Sequence, residues 1–202
     1  MSKVFLDISM SLDGFIAGTN DTPEQPLGDG GTDIQAWLFN GEQPSDYNEF
    51  FKLSSVNKKI FDTTISNTGA MVVGRNTFDI VNGWNGSHPI QGVPIFVVTH
   101  QAPAHYLEEQ TSFTFVTDGV KNAVQQAKKA AKGKDISIGT ANIAQQCMKA
   151  GLLDEIHLHV SPILLGKGTR LFDHLGAGSI KLESLQVIDG ATVTHLMYKL
   201  IY

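Results

Sequence analysis

The chain has 202 residues, 42% of them hydrophobic and 17% charged, with 20 Asp and Glu against 15 Lys and Arg for a formal net charge of −5. That length suits one domain spanning 1–202 with one core, and an acidic balance without a dense basic run excludes a nucleic-acid footprint. The single cysteine excludes an internal disulfide or a paired-cysteine metal site; no apolar run reaches the ~20 residues of a membrane helix, and no targeting pattern opens the chain, so the cytoplasm is the expected compartment.

Val4 to Met10 is a mostly apolar run and predicts a strand covered on both faces. Asp7 and Ser9 are its anomalies, because a buried polar group must find a partner or cost stability. From this strand alone, a satisfied structural carboxylate outweighs a catalytic one, since ionic networks also bury acids. Asp13-Gly14 marks a turn, after which Phe15-Ile16-Ala17 resumes extended structure. Residues 18–32 form a loop long enough to need a use, and a lid over a ligand is one. A short helix is expected from Asp33 to Phe39. A longer one is expected over 46–66, where Phe50, Leu53, Val56, Ile60 and Phe61 form a stripe read as core first and substrate wall second.

Met71-Val72-Val73-Gly74-Arg75-Asn76-Thr77-Phe78 predicts a buried strand that turns sharply at a glycine into a helix capped by Asn76 or Thr77. Free N–H groups at such a helix start, with the arginine fork beside them, suit an anion. An ordinary turn with a solvated arginine is the competing reading. An irregular loop follows at 82–86, then a strand from Val93 with a polar end at Thr99 and His100, a third strand at 113–117 and a polar helix at 119–132. The same plan recurs at Ile136-Ser137-Ile138, Gly139-Thr140-Ala141-Asn142 and a helix that stops at Gly151 and holds Cys147 as a small core residue. Two glycine turns at the carboxyl ends of parallel strands could hold a diphosphate between them.

Strand–helix alternation to residue 150 predicts a mainly parallel sheet with right-handed crossovers. From 154 the pattern changes to strands at 155–165, 179–188 and 191–202, the last two joined by a tight Asp189-Gly190 hairpin, so this end of the sheet is expected to be antiparallel. Gly166-Lys167-Gly168-Thr169 is not a phosphate loop, because glycine follows the lysine and strands flank it. His157 and His159 share a strand face without a third ligand at an evident spacing; no metal is expected there, and a partly exposed face or a subunit contact is the reading.

The motifs Ser11-Leu12-Asp13-Gly14-Phe15-Ile16-Ala17, Val73-Gly74-Arg75-Asn76-Thr77-Phe78, Gly139-Thr140-Ala141-Asn142, Gly151-Leu152-Leu153-Asp154-Glu155 and Pro162 through Phe172, in that order, resemble the dihydrofolate reductase-like superfamily, most closely its branch containing the reductase domain of riboflavin biosynthesis. The resemblance implies a three-layer αβα fold and an NADPH-dependent reductase acting on a small-molecule substrate. It implies Ile16 and Ala17 beside the nicotinamide, Gly74, Arg75, Asn76 and Thr77 on the adenosine-side phosphates, and Thr99 and His100 near the 2′-phosphate. Ile138, Gly139, Thr140, Ala141, Asn142, Ile143 and Ala144 would cradle the diphosphate, although many members carry two glycines where this chain has Gly139-Thr140. The hydride acceptor would be walled by Asp7, Trp37 and the 46–66 helix, and Asp7 and Trp37 are the candidate catalytic residues.

NADPH is expected over NADH because no acidic residue adjoins Arg75 or Thr99-His100. Lys58 stands near where folate reductases carry a pterin-binding carboxylate, which points away from dihydrofolate and toward an anionic substrate. Alternatives are a reductase of a ribosylaminopyrimidine in riboflavin synthesis and a nucleotide-binding protein without turnover. The apolar, aromatic C-terminal strand and the habit of riboflavin-type relatives predict a homodimer.

Overall fold

Val72 and Val73 are neighbours in sequence but belong to cores on opposite faces of one sheet, as a period of two requires of a strand covered on both sides. The structure is a computed structural model that describes residues 2–86, 88, 90, 92–104, 113–176 and 178–202. In chain order the elements are β1 (Val4–Ser11), β2 (Phe15–Ala17), a 3-10 segment (Gly31–Leu38), β3 (Gln43–Pro44), β4 (Lys52–Leu53), α1 (Ser55–Asn67), β5 (Thr68–Gly74) and α2 (Arg75–Ile80). A second 3-10 segment (Asn82–Gly86) precedes β6 (Ile95–Val98), β7 (Phe113–Val116), α3 (Val120–Ala130), β8 (Asp135–Ile138) and α4 (Ala141–Lys149). The chain then runs through β9 (Glu155–Ser161), β10 (Thr169–Arg170), β11 (Lys181–Asp189) and β12 (Thr194–Ile201).

Eight strands form the main sheet in the order β11-β12-β9-β1-β8-β5-β6-β7. The six from β9 to β7 are parallel, and β12 and β11 add antiparallel at one edge. One face packs under α3 and α4, with Val124, Ala127, Ile143 and Cys147 against Val72, Ile136 and Ile138. The other face packs Phe78 of α2 against Val73, Ile95 and Val97, and Trp37, Leu38 and Leu53 form a separate cluster toward α1. The fold is therefore the expected three-layer αβα arrangement, a mainly parallel sheet with antiparallel C-terminal strands. Cys147 is fully buried, and burial pushes its thiol up to about 12. Among the described residues no helix is long and apolar enough to cross a membrane.

Three boundaries differ from expectation, each for a local reason. The helix expected over 46–66 begins only at Ser55, because Ser54 takes the N-cap position with its hydroxyl accepting from Asn57 N at 3.2 Å, and the preceding residues pair as β3 and β4. The apolar stripe consequently splits: Leu53 and Ile60 are buried, whereas Phe50 is 69% exposed. The strand expected to Leu165 ends at Ser161, where Pro162 has no N–H to continue a ladder. The Asp189-Gly190 hairpin is not a two-residue turn: Gly190 N donates to Val193 O across a longer loop in which Ala191 has φ 67°.

Candidate functional site

β5 and β8 are adjacent and parallel, so the turns that follow them lie side by side at their carboxyl ends. A cleft of about 1310 Å³ opens there, above the ~300–1,000 Å³ of single-ligand pockets. Gly74, Arg75, Asn76 and Thr77 line it from the first turn, and Gly139, Thr140, Ala141, Asn142 and Ile143 from the second. Neither glycine has a conformation that only glycine can adopt: Gly74 sits at φ −87°, ψ 158°. Gly74 itself is the N-cap of α2, without a side-chain cap, while Asn76 and Thr77 lie within its first turn rather than capping it. α4 also starts without a side-chain cap, at Thr140, whose buried hydroxyl has no hydrogen-bond partner. An uncapped helix start and an orphaned hydroxyl facing one cleft fit an anionic oxygen. Ile138 and Ala144 do not line the cleft; both side chains are fully buried in the core beneath it.

Thr99 and His100 border the same cleft. Arg75 Nη1 donates to Gln101 O at 2.8 Å and reaches Thr99 Oγ1 at 3.5 Å. Its Nε donates to Asp79 Oδ1 at 2.6 Å, so an acid does adjoin the arginine, one helical turn on, where the sequence reading had none. Farther along, Ile16 and Ala17 of β2 line the cleft, as do Asp21, Glu24 and Leu27 of the loop after it. That loop is folded on itself: Gly18 N donates to Leu27 O, and Asp29 accepts from Thr19 and Asn20.

Beyond β2 a polar row crosses three strands. Asp7 pairs in register with His157, Ser9 with His159, and His159 with His195. Alternation puts these side chains on the face opposite α4, beneath Trp37 and Asn57. Trp37 Nε1 donates to Ser9 Oγ at 2.9 Å, and its ring lies 4.7 Å from that of His159. His159 Nε2 is 3.4 Å from Asp7 Oδ2, an ion-pair contact longer than a formed hydrogen bond. Behind it, His159 Nδ1 meets His195 Nδ1 at 2.7 Å, and His195 Nε2 meets Asn57 Oδ1 at 3.0 Å. The Asp7 side chain keeps 24% of its surface exposed, so the row opens onto the cleft through it. Burial would raise the Asp7 carboxyl, but the facing His159, with His157 behind it, holds it below its usual range. Phe39, Phe50, Phe51 and Phe61 wall this end.

Of the two histidines on this strand face, His159 is buried and lines the cleft, whereas His157 is half-buried and lies outside the cleft lining; His195 is fully buried behind them. Lys58 is not in the cleft: it pairs with Asp46 and Asp62 at the outer end of α1, so the anionic-substrate argument built on it falls. His195 and Asn57 escaped the sequence reading altogether. The signal available was a polar residue at alternate positions of three apolar strands, but the β12-β9-β1 order that aligns them is not written in the sequence.

The family model for the RibD C-terminal domain matches residues 2–194. The uncharacterised protein YwjB of Bacillus subtilis (strain 168) is 31% identical over 176 residues, covering 86% of this chain and 84% of that protein. Among solved structures, RibD of Acinetobacter baumannii superposes with a TM-score of 0.62 at 15% identity over 100% of this chain and 59% of that one. Dihydrofolate reductase from Enterococcus faecalis, complexed with NADP(H), gives 0.60 at 12% identity over 99% and 97%.

Proposed function

The chain belongs to the RibD C-terminal domain family, a family of reductases, and from that premise we propose that it is an NADPH-dependent reductase of a planar heterocycle bearing a C=N or C=O group. The observation that carries this reading is the juxtaposition, in one cleft, of an uncapped, hydroxyl-lined anion cradle and an aromatic-walled pocket floored by a carboxylate.

The cradle at Gly74 to Thr77 and Gly139 to Ile143 would hold the cofactor diphosphate, Arg75 with Thr99 and His100 the 2′-phosphate, and Ile16 and Ala17 the nicotinamide end. The bound cofactor supplies a hydride. The protein's own part is to hold the acceptor flat between aromatic walls, offer it Asp7, and keep water from the reacting atoms. The charge of the cleft lining favours a neutral or cationic acceptor: Asp7, Asp21 and Glu24 are its acids, against Arg75 at the turn after β5. This weighs against a phosphorylated ribosylaminopyrimidine, the substrate type of the riboflavin pathway.

The experiment is to measure NADPH and NADH binding, then follow NADPH absorbance with neutral, cationic and phosphorylated heterocycles. Turnover confined to the phosphorylated set would overturn the substrate class. Absence of binding to either dinucleotide would overturn the function.

A further inference from the structure

Protons can be counted along the polar row. His195 Nε2 faces Asn57 Oδ1, and an amide oxygen only accepts, so that nitrogen carries a proton. Burial, and then the neighbouring His159, push His195 down to about 4, which makes it neutral near pH 7 and leaves a lone pair on Nδ1. His159 Nδ1, 2.7 Å away, must therefore donate to it. What remains is His159 Nε2 toward Asp7 Oδ2. A neutral His159 would set a lone pair against a carboxylate, so the Asp7–His159 pair holds one proton more than its two neighbours require.

We propose that Asp7 and His159 together form the proton donor of the reduction, and that His195 and Asn57 are positioning residues that fix where that proton sits. The inference rests on the reductase reading above. The acceptor carbon gains a hydride, the C=N or C=O π bond breaks toward nitrogen or oxygen, and that atom takes the proton from the pair. A carboxylate and a neutral imidazole are left, and the pair recovers its proton from solvent. A second cavity of about 80 Å³ lies behind Asp7 and His159, bordered by Thr64, Thr68 and Ser137, and is large enough for water.

The other groups facing the pair do not satisfy its proton. On β9, His157 Nδ1 stands 3.9 Å from Asp7 Oδ2 while its Nε2 is held by Glu155 at 3.1 Å, and Glu155 is paired with Lys3. On β1, Ser9 is taken by Trp37. On the far side the β11–β12 turn closes directly on the row: a Cβ on Gly190 would overlap Asn57 Oδ1 and come within 2.9 Å of His195 Nε2. The count turns on the Asn57 amide, since Nδ2 in place of Oδ1 would donate to His195 and close the chain without an extra proton.

The test is nitrogen-15 NMR of the histidine rings and carbon-13 NMR of the Asp7 carboxyl in the full chain at pH 7. The expected result is a neutral His195 protonated at Nε2, with one proton on the pair, seen as a doubly protonated His159 or a protonated Asp7. A neutral His159 beside an ionised Asp7 overturns the proposal. Asn57→Leu should mix the two His195 tautomers, and an unchanged tautomer would remove the positioning role. NADPH titrated into the same samples separates the two readings: firm binding with the extra proton absent from the pair overturns the proton donor and leaves the reductase standing, whereas no binding with that proton present overturns the reductase, and the donor role with it, while the proton placement stands.

Discussion

Gly168 lies against the carbonyl of Ala17 so closely that a Cβ on Gly168 would overlap that oxygen, and its φ of 137° is one that side chains rarely adopt. The Gly-Lys-Gly segment that superficially suggests a phosphate loop is thus a backbone clamp, holding β2 through its β10 ladder. Arg170, stacked 4.4 Å over the Phe15 ring, adds to it. Gly168→Ala should lower the Tm by several degrees and weaken NADPH binding at least tenfold by shifting Ile16 and Ala17. Calorimetry and a binding titration check both, and an unchanged affinity would separate β2 from the cofactor.

Asp13 tests the same clamp by pH. Its carboxylate accepts from Ser11 Oγ, Leu165 N and Gly166 N. The Ser11 hydroxyl first, and the two backbone donors after partial desolvation, lower it to about 2. A depressed carboxyl contributes stability that is full above its unfolded value of about 3.9 and is lost as pH falls through the folded value of about 2. Wild type should therefore melt above Asp13→Asn at pH 7, and the gap should close on acidification toward pH 2. A gap independent of pH would assign the effect to shape alone.

Arg75→Ala should weaken NADPH by about 1.5–3 kcal/mol if the guanidinium makes a charged hydrogen bond to the 2′-phosphate, and should leave NADH nearly unchanged. The Asp79 pair competes for the same fork, so Asp79→Asn should tighten NADPH. Titrations at two salt concentrations decide it, and equal losses for both dinucleotides would move Arg75 off the 2′-phosphate.

β11 is an edge strand with Leu182, Leu185 and Val187 exposed, beside Ile201 and Tyr202 of the C-terminus. A second copy covering this edge would bury the patch. Sedimentation should give twice 21.9 kDa, and Val187→Lys should shift it to the monomer. A monomeric wild type at micromolar concentration would defeat the dimer.

How much of this was legible in the sequence depends on the range of the interaction. The turns at Gly74 and Gly139 were, because a strand, a glycine and a helix start are local chemistry. So was the antiparallel end of the sheet, where no helix separates β11 from β12. The early helix boundary was missed because the spacing of Phe50 and Leu53 outweighed the turn residues Ser45 to Asn48 and the capping Ser54. The Asp7–His159–His195–Asn57 row was out of reach, since Asp7 and His159 lie 152 residues apart along the chain and His195 and Asn57 138 apart, and they meet only through strand order.

The buried Cys147 gives the molecule an internal clock. A lone thiol with no exposure and a pKa near 12 cannot be alkylated in the closed fold, so each labelling event records an opening of α4. The same helix presents its first turn to the proposed diphosphate, and a ligand held there should slow the clock in proportion to its occupancy. Thiol labelling can therefore rank dinucleotides, and later acceptors, before any turnover is known.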